Sequence, residues 1–501
     1  MTRSTPLWAA LVLTACSGDA ADPGDPAGPT GPVATDAVLV LDTDADADAD
    51  ADADTDADTD ADTDADIDTG DTGATGAPTA LTMACTVTTN ELRYTCDITV
   101  APAQAVQVSY VRDDGLGPVR VHTSDAVATN HTVDIYFLAP QQDYTFTATA
   151  IEHPTGLSAS ETQTTGQPPR SIGSWLDFTG TAATGLIGTE TPCDDLAVAV
   201  IYDTSTGDLV WYQNLDPDGE LSLIHMVRFT DEMTVVGETN HQIVEVDLMG
   251  NDLVRFDVSY PGCCSLNHDI YKRDGIFYSQ YQNINGGLTV DNVVALDETG
   301  TELWNWDPRD HLDMPGSASG DYLHTNSEYV DEDGDFYLSW LTQDTVGKFN
   351  GDVTSPDFGE PIWLMRGDGT PGDLGNDITL DWSAVSPPAR FSGQHCAHLM
   401  HDGRLMLLDN DNGRALAVTI DETTMTGTVD VEFPTHEAQC FPQGTAMDST
   451  AGNVLTACWT DWVREYDRTG VMLWEAQLQC RSSSGFGANS AARWYPLDTW
   501  E

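Results

Sequence analysis

The sequence predicts an all-β protein: a six-bladed β-propeller preceded by a small β-sandwich and a disordered amino-terminal tether. Three observations carry this. One pattern recurs six times within residues 168–501: a polar or histidine-bearing strand start, an Asp- and Gly-rich turn, an apolar strand, then an Asp-x-x-Gly turn and a Trp- or Phe-bearing strand. Periods of roughly 40–50 residues suit four-stranded blades. Ahead of it, residues 78–167 alternate apolar and polar positions with period two, the mark of half-buried strands. Ahead of that, Asp occupies every second position from Asp42 to Asp68, a tract that can bury no core.

Taken from the amino terminus, Arg3 and the apolar run 7–13 lead into Leu13-Thr14-Ala15-Cys16. A short apolar stretch ending in small residues before one Cys is the pattern of a bacterial lipoprotein signal, so 1–15 is expected to be removed and Cys16 lipidated. The run is too short to span a bilayer, and the mature chain is expected to meet the membrane through its lipid anchor only. Ser17 after the cysteine points to an outer membrane lipoprotein, facing the periplasm or the cell surface. Residues 16–77 then form the tether, extended by repulsion between like charges. The tract lacks the Gly and closing Glu of a calcium loop, which leaves a spacer.

In 78–167 the alternation marks strands at 82–87, 94–100, 106–111, 131–138 and 144–151, and Cys85 and Cys96 are expected to pair. The run Leu138-Ala139-Pro140-Gln141-Gln142-Asp143-Tyr144-Thr145-Phe146 resembles the penultimate strand of fibronectin type III domains, a fold with many uses.

In 168–501 the equivalent blade positions are His225, His268, His324, His395, Gln443 and Asn489, spaced by 43, 56, 71, 48 and 46 residues. The second unit shows the pattern most fully: the turn Arg273-Asp274-Gly275, a strand 276–281, a strand 292–296, the turn Asp297-Glu298-Thr299-Gly300 and then Leu303-Trp304-Asn305-Trp306. The ring is expected to close with one blade built from both ends of the domain, outer strands from 196–211 and inner strands from 489–497, leaving no long free edge.

The ten cysteines fit an oxidising compartment. Setting aside Cys16, Cys85 and Cys96 leaves Cys193, Cys263, Cys264, Cys396, Cys440, Cys458 and Cys480, an odd number with at least one free thiol. Cys440–Cys458 is the expected pair within a blade, and Cys263 and Cys264 are placed to hold the loop before His268. No CxxC spacing supports a structural zinc site. The net charge of −63, from 82 acidic and 19 basic residues, excludes nucleic acid and anionic lipid surfaces as partners.

Three short motifs carry the chemistry: Asn267-His268-Asp269-Ile270, Asp321-Tyr322-Leu323-His324-Thr325-Asn326-Ser327 and Phe391-Ser392-Gly393-Gln394-His395. In that order, at blade intervals, they resemble the His-Asp-Ile, Asp-Trp-x-His-x-Asn-Ser and Phe-Ser-x-Gln-His elements of the bacterial arylsulfotransferases. The likeness continues through His401-Asp402-Gly403 and Leu408-Asp409-Asn410. The resemblance implies transfer of a sulfuryl group from an aryl sulfate donor to a phenolic acceptor through a sulfohistidine, with no nucleotide or other cofactor and no metal. It implies His395 as nucleophile, His268 and His324 as groups that bind the sulfuryl oxygens or protonate the leaving phenol, and Asn326 as an N–H donor to the same oxygens. A neutral imidazole suits the first role, being a good nucleophile near pH 7.

One element departs from the family. Its second histidine motif is followed by a strand ending Ser-Ser-Arg, with the Arg at the sulfuryl group. Here Leu341 takes that position, in Phe336-Tyr337-Leu338-Ser339-Trp340-Leu341. Losing such a contact costs about 10²–10³ in rate, and Arg366, Arg390 and Arg414 are the candidates to substitute. The alternative is a catalytically degenerate surface propeller acting as a binding or scaffold module. A further reading is a zinc site of His268, His324 and His395, with only Asp269 and Asp321 as supporting carboxylates. The runs Asp331-Glu332-Asp333-Gly334-Asp335 and Asp409-Asn410-Asp411-Asn412-Gly413 fall at hairpin turns, where such residues belong. The Gly-rich stretch 367–372 is a loop with no Lys after it, not a phosphate cradle.

Overall fold

The computed structural model describes residues 76–169, 172–190, 198–216, 224–239, 241–260, 266–440, 443–458, 460–480 and 493–500. The signal and lipidation site at 1–16, the tether up to residue 75, Cys193, Cys263, Cys264 and Asn489 lie outside the described residues.

Five strands form the amino-terminal module: Ala80–Val87, Tyr94–Arg112, Arg120–Ile135, Asp143–Ala150 and Ser158–Thr164. Along Asp143–Ala150 every second residue is buried, and Tyr144, Phe146 and Ala148 share a core with Ile98, Val100, Val106 and Val108. The segments expected as two strands, 94–100 and 106–111, are one long strand. Its ladder with Arg120–Ile135 skips from Thr99 to Gln104, across Pro102, which has no N–H to donate. Its first half pairs with Ala80–Val87 and its second with Asp143–Ala150. Cys85 and Cys96 face each other in that first ladder and form a disulfide. Tyr144 Oη accepts from Ala139 N–H at 2.9 Å and pins the corner before the fourth strand.

The later strands make six sheets among the described residues, each with four antiparallel strands at its core, and two of them also carry a short parallel strand, Gly320–Asp321 and Thr379–Asp381. Blade 1 comprises Ile224–Phe229, Val235–Thr239, Gln242–Val246 and Asp252–Asp257, and blade 2 Leu266–Arg273, Ile276–Asn285, Leu288–Leu296 and Glu302–Trp306. Blade 3 comprises Thr325–Val330, Phe336–Trp340, Thr345–Phe349 and Pro361–Arg366, and blade 4 His395–Leu399, Leu405–Asp409, Arg414–Asp421 and Thr426–Pro434. Blade 5 comprises Gly444–Asp448, Val454–Cys458, Trp462–Tyr466 and Met472–Cys480, and blade 6 Trp494–Pro496, Leu186–Glu190, Val198–Asp203 and Leu209–Asn214. The first strand of each blade packs beside the first strand of the next, from blade 1 round to blade 6. The fold is therefore an all-β propeller whose first strands line the axis.

Ring closure joins one carboxyl-terminal strand to three strands from the amino-terminal side, not two to two as the sequence suggested. The strand that reading missed, Leu186–Glu190, is buried along its whole length and so shows no alternation. Ser174–Gly180 adds a fifth strand to the outer edge of blade 5.

The recurring Asp-x-x-Gly sequence is the turn into the outer strand. Asp247, Asp297 and Asp467 each accept a backbone N–H two to four residues on, at 2.8–2.9 Å. Gly250, Gly300 and Gly470 in these turns have φ of 79° to 87°, a region that favours glycine. Outer-strand tryptophans then tie blade to blade. Trp211 Nε1 donates to Leu248 O at 2.8 Å, and Trp306 Nε1 donates to Gly359 O at 3.0 Å. The module docks on this rim through buried Arg93, which donates to Tyr212 O and Met249 O at 2.7 Å and lies over the Trp211 ring. Arg112 pairs with Asp208 at 2.6 Å beside it.

Candidate active site

The three motif histidines lie at the heads of the first strands of blades 2, 3 and 4. At each head the ladder to the second strand slips, between Leu266 and Ile270, Thr325 and Ser327, and His395 and His398. Such bulges break the in-and-out alternation and re-aim side chains. His268, His324 and Cys396 have φ of 69°, 52° and 55°, a left-handed backbone costing about 1 kcal/mol or more for a residue with a side chain. The surrounding sheet holds them there.

His268 and His324 pack with ring centroids 4.9 Å apart, tilted by 44°. His324 Nδ1 lies 2.5 Å from Asp321 Oδ2. Burial disfavours its charged form, but that hydrogen bond and the charges of Asp321 and Asp291 outweigh burial and raise its pKa. His324 is thus biased toward its protonated form.

His395 is the opposite case. It is 5% exposed, and burial, followed by the charge of Arg493, lowers its pKa to about 4. Its Nδ1 lies 3.1 Å from both Gly393 O and Asn410 Oδ1. Gly393 O only accepts, so a proton on Nδ1 shared with it leaves the Nε2 lone pair free. Turned over, the Asn410 amide would instead donate to Nδ1, Gly393 O and Leu408 O and move the ring proton to Nε2. The orientation of one amide therefore sets the tautomer.

Blade 3 holds the residue before this histidine from two sides. Gln394 Nε2 lies 3.1 Å from Ser339 Oγ, Trp340 O and Thr345 O, and Gln394 O accepts from Asn326 Nδ2 at 2.7 Å. Asn326, expected to face the transferred group, thus commits one N–H to the backbone of the Gln-His motif. Its Oδ1 is buried with no partner among the described residues.

The expected substitutes for the family arginine do not meet these histidines. Arg366 serves its own loop, pairing with Asp368 at 3.6 Å and donating to Thr370. Arg390 is exposed. Arg414 is buried inside blade 4, bound to Asp409 and Glu432. Leu341 opens the 3-10 turn Leu341–Gln343 and donates its N–H to His324 O at 3.1 Å. The guanidinium at the site is Arg493, directly before the first strand of blade 6. Its Nη1 donates to Asp269 Oδ1 at 2.5 Å, and its Nη2 to Asn326 O at 3.1 Å and His268 O at 3.4 Å. The sequence reading placed the sixth blade position at Asn489. The available signal was an Arg, in a chain poor in basic residues, heading the apolar strand Trp494–Pro496. Arg228 of blade 1 reaches the same Asp269 oxygen at 3.6 Å. Burial pushes the nearby Glu238 and Glu328 carboxyls well above the usual range, and that of Glu190 up to about 7.

Among the described residues no group of three or more His, Cys, Asp or Glu side chains is placed to hold a metal ion, and no helix is long and apolar enough to cross a membrane. Cys440–Cys458 is a disulfide, Cys480 is disulfide-bonded, and Cys396 beside His395 is a buried free thiol.

A strand-head cluster of one imidazole held neutral and one biased toward its charged form, beside a buried guanidinium, is suited to moving an anionic group between oxygen nucleophiles. The arylsulfotransferase (ASST) family model matches residues 178–431, half of the chain, and the chain belongs to that family. Curated proteins give no match. Among solved structures, a protein of unknown function from Bacteroides caccae is 10% identical, covering 63% of this chain and 99% of its own, with a TM-score of 0.41. BamB from Moraxella catarrhalis is 14% identical, covering 74% and 90%, with a TM-score of 0.29. A streptogramin B lyase is 12% identical, covering 62% and 90%, with a TM-score of 0.35.

Proposed function

We propose that the protein transfers a sulfuryl group from an aryl sulfate to a phenol by way of a sulfohistidine at His395. The observation that carries this reading is the contrast between two imidazoles: His395, buried and held neutral, and His324, hydrogen-bonded to Asp321 and biased toward its charged form.

In the first half-reaction His395 Nε2 attacks sulfur, the S–O bond to the aryl group breaks, and the departing phenolate takes the proton of His324. Nδ1 keeps its proton on Gly393 O throughout, so the sulfo-imidazole is cationic and a good leaving group. In the second half-reaction an acceptor phenol gives its proton to His324 and attacks sulfur, the N–S bond breaks, and His395 recovers its lone pair. His268, packed on His324, serves the oxygens of the transferred group. Asn326 positions the backbone that presents His395.

The test is capture of the intermediate. Protein mixed with 4-nitrophenyl sulfate and no acceptor, then denatured at alkaline pH, should gain the mass of one SO₃ on the peptide containing His395. Added phenol should discharge it. A peptide that never gains this mass while 4-nitrophenol is released would sink the covalent route.

The amino-terminal signal through Cys16 supports an outer membrane lipoprotein, with the acidic tract after it as a spacer.

A further inference from the structure

We infer that Arg493 is the cation that binds the oxygens of the transferring sulfuryl group, so that the carboxyl-terminal arm completes a site otherwise built from blades 2, 3 and 4. The inference rests on the transfer reading above and names a residue that none of the three motifs contains.

The first ground is placement. Arg493 is 2% exposed and touches two motifs at once, the Asp269 carboxylate with the His268 carbonyl and the Asn326 carbonyl. Its charge is felt at His395 as well. A guanidinium has five N–H donors, and these contacts use three of them.

The second ground is charge. Arg493 and Arg228 share the one carboxylate of Asp269, at 2.5 and 3.6 Å. The neighbouring Glu238 and Glu328 are pushed toward their neutral forms by burial. Two guanidiniums thus face the Asp269 carboxylate, with Glu190 nearby, whose carboxyl burial pushes up to about 7, an arrangement that favours an anion. A sulfate monoester carries one negative charge spread over three oxygens.

The third ground is that the position beside His324 offers no cation. Leu341 stands there, with its N–H on His324 O, and Arg366 and Arg414 are engaged elsewhere.

The experiment compares wild type, Arg493→Lys, Arg493→Gln, and Arg493→Gln combined with Leu341→Arg. Two readouts are taken: affinity for benzenesulfonate, which has the anionic head but no S–O bond to break, by titration calorimetry, and kcat/KM for 4-nitrophenyl sulfate. R493Q should weaken benzenesulfonate binding at least about tenfold and lower kcat/KM by about 10²–10³. R493K, keeping the charge but not the planar fork, should fall between. L341R should restore part of the loss, which a merely structural Arg493 would not allow. Folded R493Q with unchanged benzenesulfonate affinity and kcat/KM would overturn the inference. If R493Q does not fold, because Asp269 is left underpaired, R493Q with Asp269→Asn removes both charges, and its benzenesulfonate affinity decides in the same way. Wild type that binds benzenesulfonate through Arg493 but releases no 4-nitrophenol leaves Arg493 as an anion site and overturns the transfer reading instead.

Discussion

Arg493 donates to Asp269 at 2.5 Å across 224 residues of sequence, so the last strand of the ring is tied to the first of the histidine motifs. Closing the propeller and assembling the site are one event: the strand that completes blade 6 also brings in the buried guanidinium. Removing the carboxyl-terminal arm should therefore abolish activity as well as lower stability.

The pH dependence follows from the two histidines. The free-protein kcat/KM should fall on the acid side as His395 protonates near pH 4. It should fall on the alkaline side as His324 loses its proton, above the ordinary histidine value because Asp321 raises its pKa. Asp321→Asn should move the alkaline limb down and slow turnover at pH 8, as a pH–rate profile would show. His395 also links folding to pH. Its folded pKa is depressed, so the unfolded chain binds the extra proton first, and its contribution is complete above the ordinary value near 6.5. It is lost as pH falls from there toward 4. Chemical denaturation at pH 7 and pH 5 for wild type and His395→Gln checks this, since the variant should lose part of the pH dependence.

Asn410 should control the tautomer. Asn410→Ala removes the amide that faces Nδ1 beside Gly393 O. Long-range ¹H–¹⁵N correlation on histidine-labelled protein should show His395 protonated at Nδ1 in wild type and a mixture in the variant, with activity down about tenfold. An Nε2-protonated wild type would contradict the assignment.

Gln394 should matter for stability more than its polarity suggests. Its Nε2 serves the Trp340 and Thr345 carbonyls and Ser339 Oγ in a fully buried place. Gln394→Leu leaves buried acceptors unpaired at about 1–3 kcal/mol each. Urea unfolding should show a loss of about 2–4 kcal/mol, with the m-value unchanged.

The Cys440–Cys458 bridge spans 18 residues and joins the approach to blade 5 to its second strand. Loop entropy assigns such a closure about 3 kcal/mol. Cys440→Ser with Cys458→Ser should lower stability by about that amount, and the reduced wild type should match it.

Much of this architecture is legible in the chain because the turn chemistry repeats. Asp297 and Gly300, or Asp467 and Gly470, need particular side chains at particular offsets, so each blade leaves the same mark. The histidines are legible because they head strands that follow such marks. What stayed hidden was non-local. Leu186–Glu190 is buried on all sides and shows no period. The break at Pro102 looks like a gap between two strands. Arg493 has no motif around it, since its role comes only from the closure that sets it against Asp269. Leu341 was readable as a departure, but its compensation came from the far end of the chain and not from the nearby arginines.

The most direct test of the central claim is release of 4-nitrophenol from 4-nitrophenyl sulfate, with and without added phenol, by wild type and by His395→Ala confirmed to be folded. Phenol-dependent turnover is expected in the wild type, with a loss of at least about 10³ in the variant. Turnover that survives in His395→Ala would contradict that claim.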